Sequence, residues 1–320
     1  MAEPARLPAL LLSGPTGIGK SALALRLADE LPLEIVSADS MQIYRGLAIG
    51  TAQPSAEERR RVPTHLVGEL DPTERFDARR FVERADQLRR EIHARGRLPV
   101  FVGGTGLYLR ALRWGLFEGG GRDEAVRAAL AAEARQAGSA ALHARLARVD
   151  PAAAERIAPN DAVRIVRALE VHVLTGRRLS ELQRQWTAPA PRFPHLLVVL
   201  FERRDRLRER IARRADAMLA AGWIDEVAEL LARGIPPEAH CFRALGYREI
   251  IAHLRGELSR DALAERIATA TVQFAKRQMV WFRRERPAIW LPAGDGDAGE
   301  RVADLAWLAR RLLAECGAAR

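Results

Sequence analysis

Cysteine is nearly missing from this 320-residue chain: Cys241 and Cys316 are its two, far apart and in no C-x-x-C or His-paired spacing. That argues against a disulfide framework and a structural zinc site, and for a reducing cytoplasm. There is no run of about 18 apolar residues, so a membrane-spanning helix is excluded. The opening MAEPARLPAL is too short and too interrupted for a signal peptide. Lysine is scarcer still in proportion. Lys20 and Lys276 are the only two among 51 basic residues, the others all being arginine. What the chain does have is 48% apolar residues, enough for a large α/β core with a smaller appendage. Its formal charge of +10 points to a polyanionic partner such as nucleic acid, although alanine and arginine are abundant throughout.

One of the two lysines sits where it is most informative. The apolar run Leu10, Leu11, Leu12 breaks into Gly14, Pro15, Thr16, Gly17, Ile18, Gly19, Lys20 and Ser21, a complete G-x-x-x-x-G-K-[ST] pattern. The glycines let consecutive backbone N–H groups point into one anion-sized hollow. Lys20 adds a compact ammonium, which suits phosphate as a point charge where the chain otherwise uses the planar guanidinium. Ser21 offers a hydroxyl to a phosphate-bound Mg²⁺. SALALRLADEL has helical spacing, so a helix N-terminus faces the same hollow.

Further strands are read at Leu33–Ser37, Thr64–Gly68, Leu98–Val102, His195–Leu200 and Ala288–Leu291. Alternating strands and helices predict a P-loop NTPase-like parallel sheet flanked by helices. Asp39 follows the second strand, on the edge that carries the loop. It reads either as a turn or capping residue or as an acid beside the phosphate hollow. Amphipathic spacing predicts a helix over 76–94, with Phe81, Ala85, Leu88 and Ile92 inward. Gly103-Gly104-Thr105-Gly106 closes the clearest strand, where missing Cβ atoms would admit a ligand close to the backbone. Thr105 either donates to a phosphate oxygen or N-caps the next helix.

From 116 to 190 strand patterns vanish. The expected organisation is therefore a first core segment (1–115), an all-helical insertion (116–190) opened by the hinge-like Gly119-Gly120-Gly121, and a second core segment (191–320). Helices are expected at Asp123–Gln136, Ala140–Val149 and Asp161–Leu174. Their arginines Arg127, Arg164 and Arg167 are read as surface residues. Pro189, Pro191 and Pro194 mark the exit. Arg206, Arg210, Arg213 and Arg214 form a ridge on the helix Asp205–Ala220, a subset of which could clamp a diphosphate. The stretch Cys241–Arg248 mixes arginine with aromatics, suited to stacking on unpaired bases or equally to a packed corner.

Residues alone leave three readings open: a small-molecule kinase with Asp39 as base, a nucleic-acid-dependent ATPase, and a transferase with diphosphate as leaving group. GPTGIGKS, VSADSMQIYRGLAIGTAQP, VGGTGLYLRAL, PNDAVRIVRALEV and FRALGYRE together resemble the tRNA dimethylallyltransferase family in order and approximate spacing, across nearly the whole chain. The resemblance implies transfer of the dimethylallyl group from dimethylallyl diphosphate to N6 of the adenine 3′ of the anticodon, in tRNAs reading U-initial codons. It implies that the loop holds the donor's diphosphate rather than ATP. Asp39 would be the general base and Thr105 would contact the bridging oxygen. Lys20, the loop amides and Arg214 would hold the diphosphate, with Mg²⁺ on Ser21. It also implies tRNA contacts at Asp39, Ser40, Met41, Gln42, Thr105 and Arg127, at Val163, Arg164, Ile165, Val166 and Arg167, and at Arg243, Ala244, Leu245, Gly246, Tyr247 and Arg248. A cytoplasmic monomer without a membrane partner is expected. The runner-up is an adenylate isopentenyltransferase acting on free nucleotide, which the insertion and the positive charge disfavour.

Overall fold

Short apolar runs form β1 (Ala9–Ser13), β2 (Leu33–Ser37), β3 (Thr64–His65), β4 (Leu98–Val102), β5 (His195–Phe201) and β6 (Ile289–Pro292). They make one six-stranded sheet in the order β3-β2-β4-β1-β5-β6, every pair parallel. The structure, a computed structural model, describes residues 7–117, 121–187, 190–294 and 298–317. Every residue of β1, β2 and β4 is buried, which is why these strands read as unbroken apolar runs rather than alternating ones. Their side chains divide between two cores. Leu11, Val36, Phe101 and Val199 pack into one, and Leu10, Leu12, Val100 and Val198 into the other.

The helices in the first part of the sheet unit are α1 (Lys20–Leu27), α2 (Ala56–Arg61), α3 (Ala78–Ala94) and α4 (Gly106–Trp114). The third starts two residues later than its apolar spacing suggests. Asp77 caps it by accepting from the N–H groups of Arg79 and Arg80, which leaves Phe76 outside. Phe81, Ala85, Leu88 and Ile92 are its buried face, as the spacing requires. The chain then forms a separate compact unit over Trp114–Pro191 before the sheet unit resumes at Arg192.

The helical unit contains α5 (Glu124–Ala137), α6 (Ser139–Val149), α7 (Pro151–Arg156), α8 (Ala162–Thr175) and α9 (Leu179–Leu182), then a 3₁₀ turn at Gln183–Thr187. Asp123 and Asp161 cap α5 and α8, and left-handed Gly176 ends α8. The short α7 and α9 escape the apolar pattern. They are pinned instead by the buried Asp150, which accepts from the N–H of Ala153 and from both the N–H and the hydroxyl of Ser180. Gly119, Gly120 and Pro189 lie outside the described residues.

Two of this unit's arginines are not the solvated surface groups that helical spacing suggests. Arg127 Nε donates to Glu170 Oε1 at 2.7 Å and Arg167 Nη1 to Glu170 Oε2 at 2.6 Å, while the Asp123 N–H donates to Oε1 at 3.0 Å. Glu170 is fully buried. Burial alone would raise its pKa, yet these hydrogen bonds outweigh desolvation and hold the carboxyl down at about 2. Ile165 is also internal, packed with Leu142, Leu146 and Leu169. Of the segment 163–167, the exposed side chains are Val163 and Arg164.

The sheet unit finishes with α10 (Arg204–Ala220), α11 (Trp223–Ala232), α12 (Tyr247–Leu254), α13 (Arg260–Phe282) and α14 (Ala298–Glu315). Among the described residues no helix is long and apolar enough to cross a membrane.

Candidate functional site

The turns after β1, β2 and β4 meet outside the carboxyl ends of the sheet, the place where open α/β sheets bind ligands. They line a cleft of about 630 Å³ together with residues of α10 and α13. That volume falls in the range of small-molecule sites.

The glycine-rich loop is built by steric necessity. Gly14 has φ 140° and a Cβ there would meet the Leu200 carbonyl oxygen at 2.7 Å, so no other residue fits without displacing β5. Gly19 is left-handed at the start of α1. Lys20 Nζ donates to the loop's own carbonyls, Gly14 O at 3.0 Å and Pro15 O at 2.8 Å, which holds the ammonium over the hollow. Ser21 and Thr16 line the same cleft. Burial of the ammonium brings the Lys20 pKa down to about 8, with Asp39 acting to raise it and Arg214 to lower it. For Arg214 desolvation disfavours the charge and Asp39 opposes it. The three charges thus share one field.

Asp39 Oδ1 accepts from the Met41 N–H at 2.8 Å, which fixes the turn after β2. Thr105 Oγ1 accepts from the Ser40 N–H at 3.1 Å and Thr105 N–H donates to Ala38 O at 3.3 Å. The Thr105 hydroxyl therefore does not serve as a helix cap. It ties the aspartate-bearing turn to the turn after β4.

The glycines around Thr105 act differently from what their missing Cβ atoms suggest. The space is filled by protein. A Cβ at Gly103 would strike Ala38 O at 2.2 Å, one at Gly104 the Gln278 amide at 2.1 Å, and one at Gly106 the Trp281 ring at 2.3 Å. Gln278, on α13, accepts from the Thr16 N–H at 2.9 Å and donates to Gly104 O at 2.9 Å. It bridges the glycine-rich loop to the Thr105 turn.

A third wall of the cleft, residues 47–53, hangs on side chains from distant elements. Glu226 of α11 accepts from the N–H groups of Ile49 (2.6 Å) and Gly50 (3.2 Å) and from the Tyr247 hydroxyl (2.6 Å). Gln42 Nε2 donates to Thr51 O and Ala52 O while its Oε1 accepts from Ser37. The Gln42 amide is thus spent on this wall. Ser40 and Met41 are half-buried at the cleft.

In the segment 243–248 the arginines and the aromatic part company. Arg243 and Arg248 are exposed, and Arg243, Ala244 and Leu245 reach the cleft. Tyr247 and its neighbour Phe242 are fully buried, Tyr247 packing edge-on against Trp223. A stacking platform for bases is not formed by these rings, because they fill the core corner and Gly246 presses on Trp223.

A parallel sheet with a glycine-rich loop after β1, a half-buried lysine and an aspartate in its field defines a P-loop-type α/β protein. The IPP transferase family profile matches residues 42–285, and a profile described as isopentenyl transferase matches residues 8–64. The chain is 47% identical over 291 residues to a tRNA dimethylallyltransferase of Geobacter metallireducens, covering 91% of this chain and 94% of that one. A full-length tRNA isopentenylpyrophosphate transferase structure from Bacillus halodurans is 37% identical with a TM-score of 0.72, covering 97% and 98% of the two chains. A eukaryotic dimethylallyltransferase acting on tRNA superimposes with a TM-score of 0.78 at 26% identity, over 95% of this chain and 80% of the other. The chain belongs to the IPP transferase family.

The Lys20 environment has a measurable consequence. A polyanion in the hollow favours the ammonium, so binding takes up a proton once the free lysine begins to lose its own. Affinity for inorganic diphosphate is expected to fall as pH rises past about 8, approaching tenfold per pH unit, and to lose that component in Lys20→Met. Calorimetric titrations of both proteins at about pH 7 and about pH 9 give the difference, in which the ligand's own ionisation cancels.

Proposed function

We propose that this chain transfers the dimethylallyl group of dimethylallyl diphosphate to N6 of the adenine 3′ of the anticodon, in tRNAs reading U-initial codons. The observation that carries the reading is the sharing of one cleft by Lys20, Arg214, Asp39 and Thr105. One side of it suits a departing diphosphate, and the other presents a carboxylate to an incoming amine.

In the transfer, N6 bonds to C1 of the allyl group while the C1–O bond breaks and its electron pair leaves with the diphosphate. Charge grows on the bridging oxygen. The Ser40 N–H occupies a lone pair of Thr105 Oγ1, which leaves the hydroxyl proton to be donated to that oxygen. The loop amides, Lys20 and Arg214 take the remaining charge. An exocyclic amine is poorly basic, but its proton becomes acidic as the N6–C1 bond forms, so a carboxylate of ordinary strength accepts it late. Asp39 is the group placed to do so.

Mg²⁺ fits the donor set. Ser21 presents a single hydroxyl at the cleft, and among the described residues no cluster of three His, Cys, Asp or Glu side chains provides a cage. An ion held here would be bound mainly through the diphosphate oxygens and Ser21, and would neutralise leaving-group charge. An adenine in an unpaired loop leaves its stack at small cost, which suits a cleft that admits one base. The helical unit is assigned the grip on the anticodon stem-loop, with Arg164 exposed for phosphate contact.

Incubation with labelled dimethylallyl diphosphate and unmodified tRNA, followed by nucleoside analysis, should place the label in N6-isopentenyladenosine. Label in AMP without turnover of RNA would move the chain to the free-nucleotide class.

A further inference from the structure

Thr105 and the anion cradle have to act together on one leaving group. When the C1–O bond breaks, its electron pair goes to the diphosphate and N6 passes its proton to Asp39. The Thr105 hydroxyl must by then lie within hydrogen-bond reach of the bridging oxygen. The cradle stands after β1 and Thr105 after β4. At the strand ends the two turns are tied by the Ser13 hydroxyl, which donates to Gly103 O at 2.7 Å, and by the Gly103 N–H, which donates to Leu12 O at 3.2 Å. Past the strand ends, on the cleft side, the Gln278 side chain provides the hydrogen-bonded link between them.

We infer that Gln278 is a positioning residue for the transfer, setting the distance from the cradle to the Thr105 hydroxyl. The inference rests on the reading of the cleft as a prenyl-transfer site. The link calls for an amide. Thr16 offers an N–H and Gly104 a carbonyl, so the group between them must accept at one end and donate at the other. Gln278 is buried, so packing fixes its rotamer along with these two bonds. The same helix presses on the Thr105 turn at a second point. Trp281, three residues along α13, lies so close to Gly106 that a Cβ there would strike its ring, and the Arg110 guanidinium covers that ring at 4.3 Å. A Cβ at Gly104 would strike the Gln278 amide. The glycines on both sides of Thr105 are thus held against α13, and the threonine between them has no slack. A displacement of about 1 Å at such a group costs on the order of a hundredfold in rate.

The test uses the full chain, labelled dimethylallyl diphosphate and an anticodon stem-loop RNA. Gln278→Met keeps the length and bulk of the side chain and removes both hydrogen bonds. Its single-turnover rate at saturating donor and RNA should fall about hundredfold, with affinity for inorganic diphosphate and for the RNA within about threefold of wild type. Thr105→Val should slow the same step. In the double variant the loss should exceed that of the slower single variant by no more than about twofold, because the amide acts through the hydroxyl. Should Gln278→Met not fold, Gln278→Asn takes its place, since it keeps the amide but is too short to reach both partners. Losses that multiply in the double variant, a saturating rate close to wild type, or a parallel loss of diphosphate or RNA affinity overturns the assignment. Fast transfer by Thr105→Val, or wild-type protein that binds inorganic diphosphate yet prenylates no RNA, overturns the transfer reading itself, and the positioning role falls with it.

Discussion

Asp39→Ala is expected to bind inorganic diphosphate and anticodon stem-loop RNA as the wild type does, and to lose turnover by about a hundredfold or more. The side chain is held by one hydrogen bond from the Met41 N–H, so its removal costs the turn little. The Ser40 N–H to Thr105 contact, which sets the leaving-group side, uses backbone that alanine keeps. Loss is therefore confined to the proton-accepting step. Single-turnover rates with prebound donor and RNA separate this from a binding defect. Near-normal rates would remove Asp39 from the role of base.

Glu170→Ala should unfold the helical unit well before the sheet unit. Two guanidinium groups and the Asp123 N–H converge on this fully buried carboxylate. Deleting one partner of a fully buried cluster typically costs about 3–5 kcal/mol, and the lower end is expected here because Arg127 and Arg167 are half-buried and keep some contact with water. Two calorimetric transitions are expected in the variant. The pH dependence runs the same way. The folded carboxyl sits at about 2 and its ordinary value is 4.5. The unfolded state thus takes up the proton first, and the stability the group contributes is present above about 4.5 and lost as pH falls toward 2. Glu170→Gln should flatten that acid limb. An unchanged limb would mean that the cluster does not hold the unit together.

The parts of the site that lie in consecutive residues were legible in the sequence. The loop from Gly14 to Ser21, the aspartate after β2 and the threonine after β4 all follow strands whose apolar runs are unmistakable. What escaped reading comes from far along the chain. Gln278 meets Thr16 across 262 residues, and Glu226 meets Ile49 across 177. Each sits on a helix among other polar residues, where nothing local distinguishes a bridging side chain from a solvated one. Arg127 reads as a surface residue for the same reason, since Glu170 lies 43 residues away, whereas Arg167 and Glu170 stand at i,i+3 spacing, which by itself does not tell a buried pair from a solvated one. For Tyr247, helical spacing decides between the two alternatives left open. Tyr247, Ile250 and Ile251 recur at helical spacing and are all buried, so the ring belongs to an inward face rather than to a nucleic-acid platform.

The chain leaves the sheet unit after Arg113 and comes back at Arg192, and the Arg192 N–H donates to Arg113 O at 2.9 Å. Exit and return share one doorway. The intervening stretch is in effect a cassette, which a short turn could replace without cutting a single rung of the sheet. Every residue lining the cleft belongs to the sheet unit, so such surgery would remove none of it.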